Sequence, residues 1–320
     1  MIAITGAAGF IGSHLVRALN ETGRSDLLLV DHFAKSAKFL NLIGCTFADY
    51  MDKSEFRHRI DAGTLDCKIE SILHQGACSD TMEYDGCYMM ENNYSYSKAV
   101  LNFSLQKKIP LVYASTAAVY GASTVFEEVS ECEAPLNVYG FSKLAFDLHV
   151  RHILPQAEST VVGLRYFNVY GPNEAHKGRM ASCVHQFHQQ VRNTGVVKVF
   201  GSFSGYGAGQ QRRDFVYVGD VVKVNLFFAE GTTRKGIFNV GTGASRTFED
   251  LASALIREVG KGRIEYIPFP EELKGKYQSL TRADLKRLRK AGYDGVFSSI
   301  EDGVRATTRA ESPCRQEAKV

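Results

Sequence analysis

Apolar residues in the first half of the chain alternate between short continuous runs and helix-spaced patterns. Continuous runs predict strands at Ile2–Thr5, Leu27–Val30, Ile69–His74 and Leu111–Ser115, and the spacing within Ile11–Leu19 predicts a helix. Because strands separated by helix-length segments form βαβ units, the pattern predicts a parallel sheet with helices on both faces. Right-handed crossovers place the functional loops of such a sheet at the carboxyl ends of its strands.

The pattern is looser after Arg165. It predicts a strand at Ile237–Val240 and an amphipathic helix at Thr247–Val259, whereas the glycine-rich segment Gly201–Gly209 predicts a mobile loop. The tail from Arg305 onward is polar and shows no apolar stripe, so we expect it to be frayed.

These elements predict an α/β fold, a doubly wound parallel sheet of the Rossmann type with a smaller α/β substrate domain. The dinucleotide-binding domain is expected to comprise residues 1–167 and about 213–242. Residues 168–212 and 243–320 are expected to form the substrate-binding domain.

Composition narrows the class of protein without identifying it. Hydrophobic residues make up 44% of the 320 residues, and the net charge of +3 gives no argument for nucleic-acid binding. The seven cysteines are odd in number and never in C-x-x-C spacing, so neither a disulfide framework nor a metal site is indicated. The N-terminus has no basic segment and no apolar run reaches about 20 residues, so we expect a cytoplasmic protein without a membrane partner.

A glycine-rich segment directly follows the first predicted strand and opens the first helix. Gly6, Gly9 and Gly12 stand in G-x-x-G-x-x-G spacing. Glycines permit a tight turn close to a pyrophosphate, and the helix N-terminus supplies free N–H groups and partial positive charge for that anion. Asp31 ends the second strand, where a carboxylate can bind the ribose hydroxyls. The segment therefore predicts dinucleotide binding.

The residues do not decide whether the cofactor is NAD or NADP, which carries an additional 2′-phosphate. Asp31 favours NAD over NADP, because a ribose-binding carboxylate suits a free 2′-hydroxyl. Lys38 and Lys53 could instead neutralise a 2′-phosphate, although a solvated surface role is the commoner one for a lone lysine.

A Tyr-x-x-x-Lys pair lies at the start of a helical pattern that runs to about Ile153. Tyr139 and Lys143 are four residues apart and share one face of that helix. A free tyrosine is about one part in a thousand ionised at pH 7, a deficit of about 4 kcal/mol. A lysine charge about 4 Å away, at an effective dielectric constant near 20, contributes on the order of 4 kcal/mol. With an oxidised nicotinamide nearby, Tyr139 is predicted to act as a general base.

A hydroxyl group is expected at the end of the strand predicted at Leu111–Ser115, where it would hydrogen-bond the reacting oxygen of the substrate. Ser115 and Thr116 are both available. For Ser115, capping of the strand-to-loop turn is an alternative role.

Together these motifs resemble the extended short-chain dehydrogenase/reductase superfamily. The resemblance rests on residues 5–12, on the segment around Thr116, on Tyr139 with Lys143, and on residues 165–172. Further segments are similar to the ADP-L-glycero-D-manno-heptose 6-epimerase family within it. They are residues 75–79, 88–94, 135–140, 176–178, 213–220, 267–270 and 274–278. The resemblance extends over roughly residues 1–304.

The resemblance implies a cytoplasmic homo-oligomer that contains NADP, with NAD as the alternative, and acts on a nucleotide sugar. The reaction would invert C6″ of ADP-D-glycero-D-manno-heptose to give ADP-L-glycero-D-manno-heptose, for lipopolysaccharide inner-core biosynthesis. By motif position, the cofactor would be bound by Gly6, Gly9, Phe10, Ile11, Gly12, Asp31, His32, Lys38, Lys53, Gln75, Gly76, Ala77, Cys78, Ser79, Asn92, Lys143, Val169 and Lys177. The substrate would be bound by Thr116, Asn168, Arg179, Gln186, Phe200, Gly201, Ser202, Arg213 and Tyr277.

A carbinol carbon without an acidic C–H bond cannot be inverted by simple proton abstraction. Transient oxidation is workable, because Tyr139 can take the hydroxyl proton while a hydride leaves and later returns to the other face of the ketone. The predicted catalytic residues are Tyr139, Thr116, Lys143 and Lys177. Lys177 would be the second acid/base group or, alternatively, a phosphate ligand. Arg213 is expected to clamp the diphosphate.

The sequence departs from the heptose epimerase pattern at several positions. His32 stands where asparagine is usual, and Gln186 stands where histidine is common. The loop of residues 203–211 is longer and richer in glycine, and the final residues lack an aromatic-rich helix. Arg179 and Lys276 could add positive charge to the site or simply face solvent.

Two other functions stay open at this point. A UDP-hexose 4-epimerase or 4,6-dehydratase would use the same scaffold, but a dehydratase needs a carboxylate pair beside Thr116, where Ala117 and Ala118 stand. A redox-sensing dinucleotide-binding regulator is a remote alternative, because it need not keep Tyr139, Lys143 and Thr116 together.

Overall fold

The computed structural model describes residues 1–33, 37–230, 233–275 and 277–311. Its strands are β1 (Ile2–Thr5), β2 (Leu27–Asp31), β3 (Asp49–Asp52), β4 (Ser71–His74), β5 (Leu111–Thr116), β6 (Val161–Tyr166), β7 (Asn168–Tyr170), β8 (Val196–Phe200), β9 (Arg212–Arg213), β10 (Phe215–Tyr217), β11 (Lys235–Val240), β12 (Arg246–Thr247) and β13 (Arg263–Ile267). Its α-helices are α1 (Phe10–Glu21), α2 (Lys53–Ala62), α3 (Gly86–Met90), α4 (Tyr96–Lys107), α5 (Val138–Ile153), α6 (Cys183–Thr194), α7 (Val218–Ala229), α8 (Phe248–Val259), α9 (Lys286–Lys290) and α10 (Ile300–Ala310). A π-helical turn, Glu91–Ser95, joins α3 to α4.

Seven strands form one sheet in the order β3-β2-β1-β4-β5-β6-β11, and every neighbouring pair is parallel. One hydrophobic cluster packs α1 and α7 on one face, and another packs α2, α4 and α5 on the other. Because both faces are covered, β1, β2, β4 and β6 are buried along their whole length, which explains the continuous apolar runs of β1 and β2. The predicted doubly wound parallel sheet is confirmed.

The direction of winding reverses between β1 and β4, which pair in parallel with Thr5 opposite His74. The chain passes from β1 to β2 on one side of this pair and from β4 to β5 on the other. The helices α1 and α4, which follow β1 and β4, therefore cover opposite faces of the sheet and leave a crevice at its carboxyl edge. Doubly wound folds bind their ligands at this kind of position.

Three short two-stranded ladders belong to the second half of the chain. β7 pairs with β10 and β8 with β13 in parallel, whereas β9 and β12 are antiparallel. A third hydrophobic cluster joins α6, α8 and α10 through fully buried side chains such as Val184, Leu251 and Val304. This cluster draws mainly on residues 168–212 and 243–304, which we call the second lobe.

The end of the chain is more regular than the sequence analysis predicts. α10 continues to Ala310, and Ile300, Val304 and Thr307 are buried on one of its faces. The apolar stripe starts before Arg305, so a pattern search that begins at Arg305 misses its first two members. The prediction of a frayed tail is therefore wrong as far as Ala310, and its part from residue 312 onward lies outside the described residues.

Other predicted elements differ mainly at their ends. The strand predicted from Ile69 begins at Ser71, and the first helix is one residue longer at its start and two at its end. The segment 201–209 contains a tight turn in which Phe203 and Tyr206 exchange two main-chain hydrogen bonds of 3.0 Å. The mobility of this segment stays a prediction.

Candidate active site

A cavity of about 890 Å³ lies at the carboxyl edge of the sheet, between the turns after β1 and β4 and the second lobe. Its volume is in the range of sites that take small molecules and cofactors. The predicted site residues that line it are Gly6, Gly9, Phe10, Ile11, Gly12, Asp31, His32, Lys38, Lys53, Gln75, Gly76, Ala77, Cys78, Ser79, Asn92, Thr116, Tyr139, Lys143, Asn168, Val169, Lys177, Phe200, Arg213 and Tyr277.

The glycine loop lies directly against the turn after β4. Gly6 has a left-handed backbone (φ +66°), and a Cβ atom there would lie 2.8 Å from the main-chain nitrogen of Gly76. A Cβ atom on Gly12 would lie 2.0 Å from the carbonyl oxygen of Gly6, so only glycine lets α1 pack on the loop. No side chain caps α1 at its N-cap residue, Gly9. The uncapped N-terminus of α1 at the cavity wall fits the pyrophosphate of a dinucleotide.

Asp31 ties the glycine loop to the end of β2. Its carboxylate is 5% exposed and accepts the N–H of Ala8 at 2.8 Å and the N–H of His32 at 2.6 Å. The same carboxylate pairs with the ammonium of Lys38. Lys38 therefore neutralises the negative charge at the place where the sequence predicts contact with the cofactor ribose.

Two local features bring Tyr139 against Thr116. Asn137 caps α5 by accepting the N–H of Gly140 at 2.8 Å, which fixes Tyr139 in the first turn. A Cβ atom on Gly140 would lie 2.9 Å from the carbonyl oxygen of Ala118, so glycine lets α5 approach the chain just after β5. Burial raises the pKa of Tyr139, and a hydrogen bond with Thr116 opposes that rise. The two hydroxyl groups form a pair suited to proton transfer in the cavity wall.

Lys143 lies one turn further along α5 and is 4% exposed. Its ammonium donates to the carbonyl oxygen of Ala114 at 2.9 Å. Burial lowers the pKa of Lys143 to about 8, and the nearby carboxylate of Asp147 opposes this shift. In the described structure the Lys143 ammonium makes no hydrogen bond with the phenol of Tyr139, and its action on that phenol through charge stays a prediction.

Ser115 and Thr116 differ in what their hydroxyl groups contact. Ser115 donates to Asp147 Oδ2 at 2.9 Å, and this carboxylate also accepts the hydroxyl of Tyr113 at 2.9 Å and pairs with Arg165 Nε at 2.8 Å. Asp147 and Arg165 are fully buried, so the cluster joins β5, β6 and α5 beneath the site. The capping role considered for Ser115 belongs to Thr116, whose hydroxyl oxygen accepts the N–H of Ala118 at 3.1 Å. Thr116 also contacts Tyr139 in the cavity wall, which favours it for the predicted role at the reacting oxygen.

Lys177 reaches the cavity from another wall, the segment after β7. Its ammonium pairs with Glu174 Oε2 at 2.9 Å and lies 4.9 Å from the centroid of the Phe10 ring, at the start of α1. The lysine therefore reaches from the second lobe to the start of α1, on a different element from Tyr139.

Arg213 lies in the cavity wall and is 6% exposed. Its guanidinium lies 4.6 Å from the centroid of the Tyr277 ring and 5.7 Å from that of Phe248, and it donates to the carbonyl oxygen of Arg212 at 3.0 Å. Within the described ranges no carboxylate pairs with it, and burial lowers its pKa. A buried cation without a counter-ion is costly, and a phosphate group would compensate it.

Arg179 and Gln186, two predicted substrate residues, do not line the cavity. The side chain of Arg179 is 70% exposed and pairs with Asp80 at 3.0 Å, so solvent and a carboxylate satisfy its charge. Gln186 donates to the carbonyl oxygens of Arg179 and Ala181 at 3.1 and 2.9 Å, and these bonds hold its amide on the main chain of the preceding segment.

Two further predicted residues also lie outside the cavity wall. Gly201 and Ser202 follow Phe200, which does line it. Gly201 is held instead by a main-chain hydrogen bond of 2.7 Å to Ile267. Lys276, considered as an additional charge, lies outside the described residues.

Several residues of the cavity wall were not predicted as site residues. They include Tyr88, Tyr96, His176, Cys183, Phe215 and Phe248. Glu174, which is fully buried and bonded to Lys177, was not predicted either. An acidic residue three positions before a predicted acid/base lysine was a signal that could have pointed to Glu174.

Among the described residues, no group of three or more His, Cys, Asp or Glu side chains could hold a metal ion. No helix in that part of the chain is long and apolar enough to span a membrane.

The sequence and the fold of this chain are similar to those of known nucleotide-sugar epimerases. Residues 2–241 match the model of the NAD dependent epimerase/dehydratase family. The chain is 53% identical over 305 residues to an ADP-L-glycero-D-manno-heptose-6-epimerase from Alkalilimnicola ehrlichii, covering 95% of each chain. A crystal structure of Helicobacter pylori ADP-L-glycero-D-manno-heptose-6-epimerase superposes with a TM-score of 0.83 and 31% identity over 96% of this chain and 94% of that one. A complex of Thermus thermophilus UDP-glucose 4-epimerase with NAD gives a TM-score of 0.78 and 26% identity over 96% and 97%.

Proposed function

This chain belongs to the NAD dependent epimerase/dehydratase family, and on that premise we propose that it inverts C6″ of ADP-D-glycero-D-manno-heptose. The product would be ADP-L-glycero-D-manno-heptose, for lipopolysaccharide inner-core biosynthesis. One observation carries the proposal: a single cavity joins the glycine loop, the Tyr139–Thr116 pair and the buried guanidinium of Arg213. A dinucleotide site, a proton-transfer group and a diphosphate clamp are what this reaction on a nucleotide sugar needs.

The chemistry starts at the hydroxyl group on C6″. When bound, a nicotinamide dinucleotide supplies reversible hydride acceptance, which a C–H bond of low acidity requires. Tyr139 would take the hydroxyl proton and return it, while Thr116 hydrogen-bonds the same oxygen. The glycine loop and α1 would hold the pyrophosphate of the cofactor, and Arg213 that of the substrate.

Lys177 would serve the other face of the ketone. Its ammonium enters the cavity from the segment after β7, whereas Tyr139 enters from α5. Two acid/base groups on separate elements allow one to deprotonate the starting alcohol and the other to protonate its epimer. Phosphate binding is the competing role for this lysine.

We further propose NADP as the cofactor, with NAD as the alternative. Lys38 pairs with Asp31 and so offsets the negative charge that would repel a 2′-phosphate. Lys53, which donates to Asn92 Oδ1 at 2.8 Å, adds a second cation to the cavity wall. The cytoplasmic location and the homo-oligomeric state that the family resemblance implies belong to the same proposal, and light scattering measures the second.

Elimination, the dehydratase reaction, is less well supported by the cavity. In the described part of the chain the carboxylates that line it are Asp31 and Asp80, and these are paired with Lys38 and Arg179. A UDP-hexose 4-epimerase would use the same proton-transfer pair, so substrate choice has to be measured.

Protein purified without added cofactor should contain about one equivalent of NADP per chain, because a redox-neutral epimerase has no need to exchange it. Denaturation followed by an enzymatic assay that distinguishes NADP from NAD measures this content.

The same protein should epimerise ADP-D-glycero-D-manno-heptose with a kcat/KM about 10²-fold or more above that for UDP-galactose, the control substrate. A strict requirement for stoichiometric NAD(P)H, or a preference for UDP-galactose, would sink the proposal.

A further inference from the structure

Glu174 is a fully buried carboxylate behind the cavity wall. Its Oε1 accepts the N–H of Gly171 at 3.2 Å and the hydroxyl of Ser182 at 2.6 Å. Its Oε2 accepts the N–H of Ser182 at 2.8 Å and the ammonium of Lys177 at 2.9 Å. One carboxylate is therefore hydrogen-bonded to both ends of the segment 171–182 and to the lysine in its middle.

The backbone alone does not fix the position of Lys177. The helical turns around it are broken at Gly178, which has a left-handed backbone (φ +53°). A free lysine side chain samples many rotamers, and a misplacement of about 1 Å costs a reacting group roughly 10²-fold in rate. The ion pair with Glu174 and the ring of Phe10 supply the constraint that the irregular segment lacks.

Lys177 is also the counter-ion that the buried carboxylate requires. His14 on α1 and His185 on α6 interact electrostatically with Glu174. Neither is hydrogen-bonded to it, because His14 bonds to the carbonyl oxygen of Pro172 and His185 to the carboxylate of Glu311. A buried charge is stable only when a partner compensates it. The pairing is therefore reciprocal, since the carboxylate places the ammonium and the ammonium neutralises the carboxylate.

We propose that Glu174 is the positioning residue for Lys177 and holds its ammonium where the second proton transfer of the epimerisation takes place. This inference rests on the proposed function. Glu174 itself does not touch the substrate, because its two oxygens are occupied by four donors from the segment and it does not line the cavity.

Glu174→Gln keeps the size of the side chain and removes its charge. We expect kcat for C6″ epimerisation to fall about 10–100-fold, with KM within about 3-fold, in a protein that folds and retains its cofactor. In a Lys177→Met background the same change should lower the residual rate by less than about 3-fold, because a positioning residue acts through its lysine. Equal losses in the two backgrounds would give Glu174 a merely structural role and overturn the proposal.

The reactivity of Lys177 tests the same point without any substrate. A pulse of acetic anhydride followed by peptide mass spectrometry should label Lys177 several-fold faster in Glu174→Gln, with exposed Lys198 as the internal reference. An unchanged ratio would overturn the positioning role whatever the substrate is. Faster labelling in a protein that does not epimerise the heptose would sink the proposed function alone.

Asp220→Asn is the matched control. Asp220 is also fully buried, pairs at 3.0 Å with a lysine three residues on, Lys223, and accepts the N–H of Ser298 at 2.7 Å, but it does not line the cavity. Its replacement should leave kcat and the labelling of Lys177 within about 2-fold of the unmodified protein. A loss equal to that of Glu174→Gln would mean that any buried carboxylate matters and would contradict the proposal.

Discussion

Tyr139→Phe is expected to lower kcat for epimerisation by about 10²–10⁴-fold while the fold and the cofactor content stay unchanged. The substitution keeps the ring and removes the hydroxyl that contacts Thr116 in the cavity wall. That hydroxyl is the group placed to take and return the proton of the reacting alcohol. Steady-state kinetics with NMR detection measures the loss, and circular dichroism and the released dinucleotide measure the two properties that should not change.

Tyr293→Phe provides the control for the loss of a tyrosine hydroxyl. The Tyr293 hydroxyl is buried, has no hydrogen-bond partner within the described ranges and lies outside the cavity. Removing it should leave kcat within about 2-fold. Near-unchanged activity of Tyr139→Phe would show that another group handles the proton.

Lys177→Met is expected to lower kcat by about 10²–10⁴-fold and to leave KM within a few-fold. The physical reason is that Lys177 enters the cavity from the segment after β7, apart from Tyr139 on α5, and can therefore serve the second face of the ketone. A lysine that only bound phosphate would give the reverse result, with KM raised and kcat largely spared. Steady-state kinetics on the heptose substrate separates the two roles.

An aldehyde analogue at C6″ sharpens this test. Such a compound can be oxidised and reduced within one active site, which needs hydride chemistry but no inversion of a face. Replacement of both Tyr139 and Lys177 should abolish that dismutation, whereas either single variant can keep part of it. Epimerisation at unchanged rates in both single variants would favour one base and a rotating ketone.

Much of the fold follows from patterns that are local in the sequence. A strand buried on both faces is mostly apolar, so β1 and β2 stand out as continuous runs, whereas β6 contains Gly163 and Arg165 and was not predicted. The sequence predicts the glycine loop because close main-chain contacts require glycine at Gly6 and Gly12. It predicts that Tyr139 and Lys143 share a helix face because four residues make about one helical turn.

The rest of the site depends on contacts between distant or irregular segments. The hydrophobic periodicity of the sequence does not predict such contacts. Ser115 and Thr116 are adjacent, and only the fold shows that Ser115 bonds to Asp147 whereas Thr116 caps the next turn and contacts Tyr139. Glu174 and Ser182 meet across eight residues of a segment that is not one continuous helix. The absence of a carboxylate beside Arg213 in the described chain depends on how the second lobe packs, so no sequence motif marks it.

Epimerisation in D2O with no added cofactor tests most directly whether this cavity inverts C6″ by transient oxidation. We predict that NMR of the reaction with ADP-D-glycero-D-manno-heptose shows the L epimer with protium at C6″, because the hydrogen on that carbon leaves and returns without entering solvent. Deuterium at C6″ of the product would show abstraction as a proton and exchange with solvent, and it would contradict the account.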